Sequence, residues 1–259
     1  MEKRMSFYDI HCHLLPGMDD GCKTPGESLE LLEESRKQGI SGIIATPHYY
    51  PRESVDSFLQ RRSRAHEMLL NEIKQQNRDK SLVQQEIDID VLPVCLGAEV
   101  AYHAGLVYEE QLPELCLGKS RYLLLELPFQ KWSPNVIRDV QSIRSVRGLK
   151  PVVAHLERYF KYQDSEMIDE LRNCDVLIQM NAEYILGGFW NCQKAKKLLK
   201  YGMADVLGSD SHNMNDRCPN LGPAADKLLK AGMDEILYGL GRTSKRIFSA
   251  AQGEKDEKR

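Results

Sequence analysis

The sequence has little that would place the chain in a membrane or direct it out of the cell. It lacks any run of about 18 apolar residues, so no membrane-spanning helix is expected. Its first residues read MEKRMSFYDIHCH and lack the apolar h-region of a secretory signal, so no signal peptide is expected either. These absences predict a cytoplasmic protein.

An excess of positive charge is also missing. The 259 residues carry a formal net charge of −3, and 28% of them are charged, as in ordinary soluble proteins. Domains that bind nucleic acid usually have a basic surface, so that class of protein is not expected. The chain is 42% hydrophobic, which is enough apolar material for a large core.

Cysteine pairs at metal-binding or redox spacing are absent as well. The seven cysteines are odd in number and irregularly spaced, and no CxxC motif occurs, so we interpret them as reduced thiols. Internal repeats and linkers rich in Gly, Ser or Pro are missing too. Residues 1–259 are therefore predicted to form one domain, with a frayed, charged tail over residues 253–259.

What the sequence does contain is a regular alternation of apolar segments and helical patterns. Most apolar segments are nearly continuous, which is typical of parallel strands covered by helices on both faces. Such an alternation predicts either an open doubly wound sheet or a closed α/β barrel. Seven strands are predicted: Phe7–His11, Gly42–Thr46, Leu92–Ala98, Tyr122–Leu127, Pro151–His155, Asp175–Met180 and Asp205–Ser209.

Polar side chains, most of them able to bind metal ions, lie at or just after the carboxyl end of every predicted strand. In a closed barrel these ends meet at one face, whereas in an open sheet they lie along an edge. The number of such side chains therefore favours a seven-stranded, TIM-like barrel. The positions are His11, His13, His48, Glu99, Glu126, His155, Asn181, Asp210 and His212.

Simpler explanations exist for each of these residues alone. His-x-His is weak evidence for a metal, although alternate side chains of a strand point the same way, so His11 and His13 could reach one ion. Glu126 lies in an apolar run, where a carboxylate needs a cation, a functional role or a salt bridge to an arginine. Asp20 could be only a turn residue.

The joint pattern predicts a metal site. Imidazole and carboxylate ligands without thiolate favour Mn, Fe or Zn over Ca or Mg. Cys12 lies between His11 and His13 on a strand, so its side chain should point away from the ions. His66 and His103 follow no strand, and we expect structural or surface roles for them.

Six segments resemble motifs of the polymerase-and-histidinol-phosphatase (PHP) superfamily. Two of them, Asp19-Asp20-Gly21 and the segment from His155 to Tyr159, make the sequence similar to bacterial manganese-dependent protein-tyrosine phosphatases of capsular and exopolysaccharide synthesis. The likeness runs from residue 9 to about residue 223. The other four segments are Asp9-Ile10-His11-Cys12-His13, Ala45-Thr46-Pro47-His48, Gly97-Ala98-Glu99 and Ser209-Asp210-Ser211-His212-Asn213.

This resemblance implies a distorted seven-stranded α/β barrel that holds three divalent ions, with Mn²⁺ expected and Fe or Zn as alternatives. Glu99 would bridge two ions, and Arg158 and Arg217 would hold the phosphate. Leu156 and the segment Asp216-Arg217-Cys218-Pro219 depart from the commoner family pattern. The implied metal ligands are His11, His13, Asp20, His48, Glu99, Glu126, His155, Asp210 and His212.

The implied function is metal-dependent hydrolysis of phosphotyrosine on proteins, with a tyrosine autokinase of polysaccharide export as the partner. A histidinol-phosphate or sugar-phosphate phosphatase would use the same metals. Access to the site distinguishes the two, because a tyrosyl substrate on a protein needs an open, shallow site, whereas a small molecule favours a site covered by a lid. A metal-dependent amidohydrolase is a further alternative. That group often bridges its metals with a lysine on the fourth strand, and Glu126 in that strand counts against it here. A catalytically silent scaffold would lack ligands that are present here.

Overall fold

Nine strands and eight α-helices lie along residues 7–82 and 92–254, which are the residues that the computed structural model describes. The strands are β1 (Phe7–Cys12), β2 (Ile40–Ala45), β3 (His48–Tyr49), β4 (Val94–Leu96), β5 (Glu99–Ala101), β6 (Tyr122–Glu126), β7 (Lys150–Val153), β8 (Leu177–Asn181) and β9 (Val206–Gly208). The helices are α1 (Pro25–Lys37), α2 (Val55–Leu82), α3 (Pro134–Ser145), α4 (Ser165–Arg172), α5 (Ala182–Leu186), α6 (Phe189–Lys200), α7 (Leu221–Leu229) and α8 (Asp234–Gln252). Three 3-10 helices cover Leu106–Tyr108, Leu112–Leu115 and Leu156–Lys161.

The strands form two parallel sheets, which confirms the α/β class. One sheet has the order β1-β2-β4, and the other has the order β3-β5-β6-β7-β8-β9. Every pair of neighbouring strands is parallel. Within the described residues, hydrogen bonding therefore gives two sheets, and not the one closed sheet of seven strands that we predicted.

The structure has nine strands where the sequence predicted seven, because a further short strand follows two of the predicted ones. After Thr46-Pro47 the chain forms β3, and after Gly97-Ala98 it forms β5. These two short strands pair with each other, with His48 opposite Glu99. Pro47 has no N–H to donate to a ladder, so the sequence pattern ends the strand there and gives no sign of β3.

The two sheets approach each other at β1 and β9. The N–H of Asp210 donates to the carbonyl of His11 at 2.9 Å, and the N–H of His13 donates to the carbonyl of Ser211 at 2.9 Å. Cys12 and Ser211 form a parallel bridge at the same place. The carboxyl end of the first strand therefore lies next to the carboxyl end of the last.

Apolar side chains pack on both faces of the strands, as the continuous apolar runs predicted. In β6, Leu123 and Leu125 belong to the larger buried cluster, which the helices cover, whereas Leu124 points into a second cluster. The second cluster also contains Val152 of β7 and Phe248 of α8. Alternation along a strand sends neighbouring side chains to opposite faces, so both faces of β6 are buried.

Helix α8 ends at Gln252, and most of the predicted frayed tail, residues 253–259, lies outside the described residues, which end at 254. Among the helices that the structure describes, none combines the length and the apolar character needed to cross a membrane.

Candidate metal centre

Two candidate ligands, His155 and Asp210, stand at strained positions of the backbone. Their φ angles are 35° and 53°, in the left-handed region that residues other than glycine seldom adopt. His155 follows β7 and Asp210 follows β9, so the predicted strands Pro151–His155 and Asp205–Ser209 end earlier than expected. Such conformations cost about 1–3 kcal/mol each and cluster at functional sites.

The first group of donor atoms lies around the His-x-His motif. The Nε2 atoms of His11 and His13 are 3.2 Å apart, and Glu99 Oε2 lies 3.3 Å from each. Asp210 Oδ1 lies 3.4 Å from both nitrogens. Donors that share one tetrahedral ion are about 3.4 Å apart when each metal–donor distance is about 2.1 Å. The spacing of these atoms therefore fits a shared cation.

A second group contains His13, Asp20, His48 and His212, whose donor atoms lie within 4.8 Å of one another. Asp20 Oδ1 is 3.5 Å from His48 Nε2 and 3.4 Å from His212 Nε2. The structure thus places Asp20 among histidines, and the alternative of a turn residue alone does not describe its position.

The third group contains His48, Glu99 and Glu126, again with donor atoms within 4.8 Å of one another. His48 Nδ1 is 2.9 Å from Glu99 Oε2. His155 Nε2 joins this group, at 2.9 Å from Glu99 Oε1 and 3.3 Å from Glu126 Oε1. Glu126 therefore meets a histidine, and the described residues give it no salt bridge to an arginine.

All nine predicted ligands come together in these groups, which share His13, His48 and Glu99. Four buried atoms of the cluster make no well-aligned hydrogen bond within the described residues, although other ligand-type atoms lie near some of them: Glu99 Oε2, His48 Nδ1, His155 Nδ1 and His212 Nε2. Buried polar atoms nearly always have a partner. Because imidazole nitrogens and carboxylate oxygens are good ligands for divalent transition metals, this donor set fits a metal cluster.

The amide of Gln179 fixes the tautomer of His11. The backbone N–H of His155 donates to Gln179 Oε1 at 2.8 Å, and since a backbone N–H can only donate, this atom is the amide oxygen. His11 Nδ1 lies 3.1 Å from the same oxygen, so it carries the proton. The lone pair of His11 Nε2 then faces the other donors of its group.

Two further histidines are oriented in the same way. His13 Nδ1 donates to Asp19 Oδ2 at 2.7 Å, and His212 Nδ1 donates to the carbonyl oxygen of Asp210 at 2.9 Å. An ionised carboxylate and a carbonyl only accept hydrogen bonds, so Nδ1 holds the proton in both rings. Metal-binding histidines are commonly oriented by such contacts, which leave Nε2 for the ion.

Protons and cations compete for these side chains. Burial disfavours a charge on His155, but its contacts with Glu126 and Glu99 raise its pKa to about 9. Burial likewise opposes ionisation of Glu99, yet the neighbouring His11, His13 and His155 hold the pKa of this carboxyl well below its usual value. Metal binding at the site would therefore compete with protons for the histidine nitrogens.

Both predicted phosphate-binding arginines reach the cluster through Asp210. Arg158 Nη2 lies 2.5 Å from Asp210 Oδ2, and Arg217 Nη2 lies 2.9 Å from Asp210 Oδ1. Arg217 also approaches Asp20 Oδ2, at 3.4 Å. The departure from the common pattern around Arg217 has not moved this side chain away from the site.

Glycine at position 208 allows His11 and Gln179 to approach the last strand. A Cβ atom at Gly208 would lie 2.8 Å from His11 Cβ and 2.9 Å from Gln179 Nε2. Real Cβ atoms essentially never show contacts this short, so only glycine fits without a shift of the neighbours.

Comparison with known proteins identifies the family of this chain. The family described as "Capsular polysaccharide synthesis, CpsB/CapC" matches residues 7–240, which is most of the chain. The chain belongs to the CpsB/CapC family.

Relatives of this CpsB/CapC chain are named tyrosine phosphatases. Tyrosine-protein phosphatase YwqE of Bacillus subtilis (strain 168) is 28% identical over 249 residues, which cover 93% of this chain and 91% of YwqE. Tyrosine-protein phosphatase CpsB of Streptococcus pneumoniae is 29% identical over 238 residues, covering 86% of this chain and 89% of the relative.

A solved structure has the same fold. It comes from a crystallographic study of YwqE from Bacillus subtilis and CpsB from Streptococcus pneumoniae, described there as unique metal-dependent tyrosine phosphatases. The TM-score is 0.75 at 24% sequence identity, and the match covers 96% of this chain and 95% of the other.

Sequence reasoning missed Asp19 and Gln179 as residues of this CpsB/CapC site. Asp19 accepts hydrogen bonds from the His13 ring and from the N–H groups of His48 and Gly21. Asp19 belongs to the Asp-Asp-Gly motif, in which the resemblance implies a metal-binding role for Asp20 alone. Gln179 is fully buried in the apolar strand β8. A polar residue in an apolar run is the same signal that identifies Glu126, so it could also have identified Gln179.

Asn181 was noted at a strand end without a role, and the structure supplies one. Its side-chain N–H donates to Asp210 Oδ2 at 2.9 Å, and its oxygen accepts from Gln179 Nε2 at 2.7 Å. Since Gln179 also contacts His11, one chain of hydrogen bonds joins two candidate ligands.

Proposed function

We propose that this chain hydrolyses phosphotyrosine on proteins by means of a cluster of divalent ions. The observation that carries the proposal is the convergence of nine His, Asp and Glu side chains beside two arginines. The named relatives supply the substrate class, since they are tyrosine-protein phosphatases. The partner that we propose is a tyrosine autokinase of capsular or exopolysaccharide synthesis, in the cytoplasm.

Three ions fit the three donor groups, with Mn²⁺ as the proposed metal and Fe or Zn as alternatives. Glu99 would help to hold more than one of them, and its contacts support that role: Oε2 lies near His11, His13 and His48, while Oε1 lies near His155. Three divalent ions and the four carboxylates of the ligand set would leave a charge of about +2, which attracts a phosphate dianion.

The metal ions, when bound, would supply Lewis-acid charge and acidify a water molecule near neutral pH. Arg158 and Arg217 present planar guanidinium groups that can bind phosphate oxygens in pairs and stabilise their charge as the ester bond breaks. Asp210 holds one guanidinium on each of its oxygens and so brings both to a single carboxylate of the cluster. A phenol has a pKa of about 10, so the tyrosyl oxygen needs little help to leave.

An open rim favours a protein substrate over a small one. The Asp20 side chain is 61% exposed although it belongs to the cluster, whereas Glu99 is 1% exposed. Phe129, whose ring lies 5.6 Å from that of His155, is 41% exposed. These side chains leave the described part of the site accessible to a tyrosyl residue on a protein surface.

We further propose that the two sheets, bridged between Cys12 and Ser211, belong to one distorted seven-stranded barrel. In this arrangement β3 continues β2, and β5 continues β4. A single domain would then span the chain, with the candidate site at the carboxyl ends of its strands.

The test combines metal analysis with turnover of p-nitrophenyl phosphate, a phosphotyrosine peptide and histidinol phosphate, each with Mn²⁺ added. We expect turnover of the peptide, loss of activity with a chelator, and retention of most activity after thiol alkylation. All seven cysteines are free, and burial raises the pKa of the Cys12 and Cys22 thiols, which makes thiolate nucleophiles scarce.

Other results would contradict the proposal in distinct ways. A preference for histidinol phosphate would favour the small-molecule phosphatase. No turnover of any substrate by metal-loaded protein would favour a silent scaffold. Sensitivity to alkylation with resistance to chelation would refute the metal-dependent mechanism.

A further inference from the structure

A polar groove lies beside the candidate metal centre. Its volume is about 690 Å³, within the range of about 300–1,000 Å³ that is usual for ligand sites. Its walls are residues that follow β5 and β6, together with residues of α3 between Asn135 and Ser142. Since Glu126 ends β6, the groove lies on the same face of the sheet as the metal ligands.

The segment after β6 connects the groove to the metal centre. Pro128 lines the groove, and the next residue, Phe129, stacks on His155 with ring centroids 5.6 Å apart and an angle of 28° between the planes. On the other wall, the N–H of Tyr102 donates to the carbonyl of Glu126 at 2.8 Å. A tyrosyl ring packed against exposed Phe129 would therefore place neighbouring peptide residues in the groove.

The charge of the groove favours an acidic occupant. Lys131 and Arg138 line it and are exposed. The carboxylate in the lining, Asp139, accepts a hydrogen bond from the Tyr102 hydroxyl at 2.7 Å, so one of its oxygens is already occupied. Two cations against one partly engaged carboxylate leave a positive balance, and Asn135 adds a neutral polar group.

We propose that this groove binds the peptide residues on one side of the phosphotyrosine and prefers acidic side chains there. The inference rests on the proposed function, because it assigns the substrate's flanking residues to the same site. Lys131 and Arg138 would act on binding through their charge, without touching the reacting atoms.

The test compares wild-type protein with the double variant Lys131→Glu/Arg138→Glu. Both proteins are loaded with Mn²⁺ and assayed on three substrates. The substrates are p-nitrophenyl phosphate and two phosphotyrosine peptides, one with acidic and one with neutral flanks. A matched control, Lys194→Glu/Lys197→Glu, makes the same charge change on exposed positions of α6.

We expect the wild type and the control to prefer the acidic peptide. The double variant should lose about 2- to 30-fold in kcat/KM for that peptide, mainly through KM, since two exposed ion pairs are removed. Turnover of p-nitrophenyl phosphate should stay unchanged, because this substrate has no flanking residues. The preference for the acidic peptide should weaken as salt is added.

Failure of the two proposals can be told apart. If the metal-loaded wild type does not hydrolyse p-nitrophenyl phosphate, the proposed function falls and this inference falls with it. If that substrate is hydrolysed but the two peptides react equally, or the double variant keeps the preference, the groove inference alone is overturned.

Discussion

Replacement of Gln179 by methionine tests whether one buried amide organises the candidate metal centre. Methionine has a similar length but can neither accept from His155 N–H and His11 Nδ1 nor donate to Asn181 Oδ1. These three contacts measure 2.8, 3.1 and 2.7 Å in the structure. The substitution therefore removes three hydrogen bonds without opening a large cavity.

The expected loss of stability follows from the groups left behind. Gln179 is fully buried, as are the N–H of His155 and the ring of His11. A buried polar group without a partner costs about 1–3 kcal/mol. Because the local structure can relax, we expect the free energy of unfolding to fall by about 3–5 kcal/mol and not by the full sum.

Metal binding should weaken as well. Without the amide oxygen, nothing holds the His11 proton on Nδ1, so Nε2 is no longer reserved for a ligand. Loss of such an orienting contact typically lowers metal affinity 10- to 100-fold. Gln179→Glu keeps the acceptor for both donors, so this variant should retain more affinity for Mn²⁺ than Gln179→Met.

Urea unfolding of metal-free protein and calorimetric titration with Mn²⁺ measure the two effects. Gln193→Met, on the exposed face of α6, is the control for a Gln-to-Met change and should alter neither quantity. The reasoning is refuted if Gln179→Met unfolds within about 0.5 kcal/mol of the wild type and binds Mn²⁺ with unchanged affinity.

Three further predictions follow from the same geometry. First, the raised pKa of His155, about 9, contributes stability that is complete below the unfolded value of about 6.5 and lost as pH rises through 9. Metal-free protein should therefore lose stability over that window, while Mn²⁺ affinity should rise and titration should release protons; a pH-independent affinity would contradict this. Second, Gly208→Ala should destabilise the protein by about 1–3 kcal/mol, because the added Cβ collides with His11 and Gln179. Thermal melts measure this loss. The control is Gly239→Ala in α8, where nothing lies within 4 Å of the new Cβ, and it should be neutral or stabilising by up to about 1 kcal/mol. Third, Arg158→Ala should lower kcat/KM for p-nitrophenyl phosphate by about 10²–10³, and lysine should restore only part of it, since it lacks the planar fork; equal activity of all three proteins would exclude a role in phosphate binding.

The sequence was sufficient to predict that the candidate ligands converge. Parallel strands bring their carboxyl ends to one face, so Glu99, His155 and Asp210 could be placed together although they are far apart in the chain. The continuous apolar runs also gave the right class of fold, because strands buried on both faces show no alternation.

Short or interrupted features could not be read from the sequence. Strands β3 and β5 have two and three residues, too few for a periodic pattern, and Pro47 and Gly97 precede them as apparent strand ends. The left-handed backbone of His155 was equally hidden, since a histidine after an apolar run looks like the last residue of a strand. The contact between Gln179 and His11 depends on tertiary packing over 168 positions of sequence separation.

The left-handed backbone at His155 and Asp210 has a consequence for how this chain can evolve. Glycine would relieve the backbone strain at either position, since it adopts positive φ at no steric cost. It would also remove the side chain that is the candidate metal ligand. At these two positions, glycine would therefore increase stability and decrease activity. A selection for thermal stability alone should accept glycine there, whereas a selection that also requires the site should retain the strained residues.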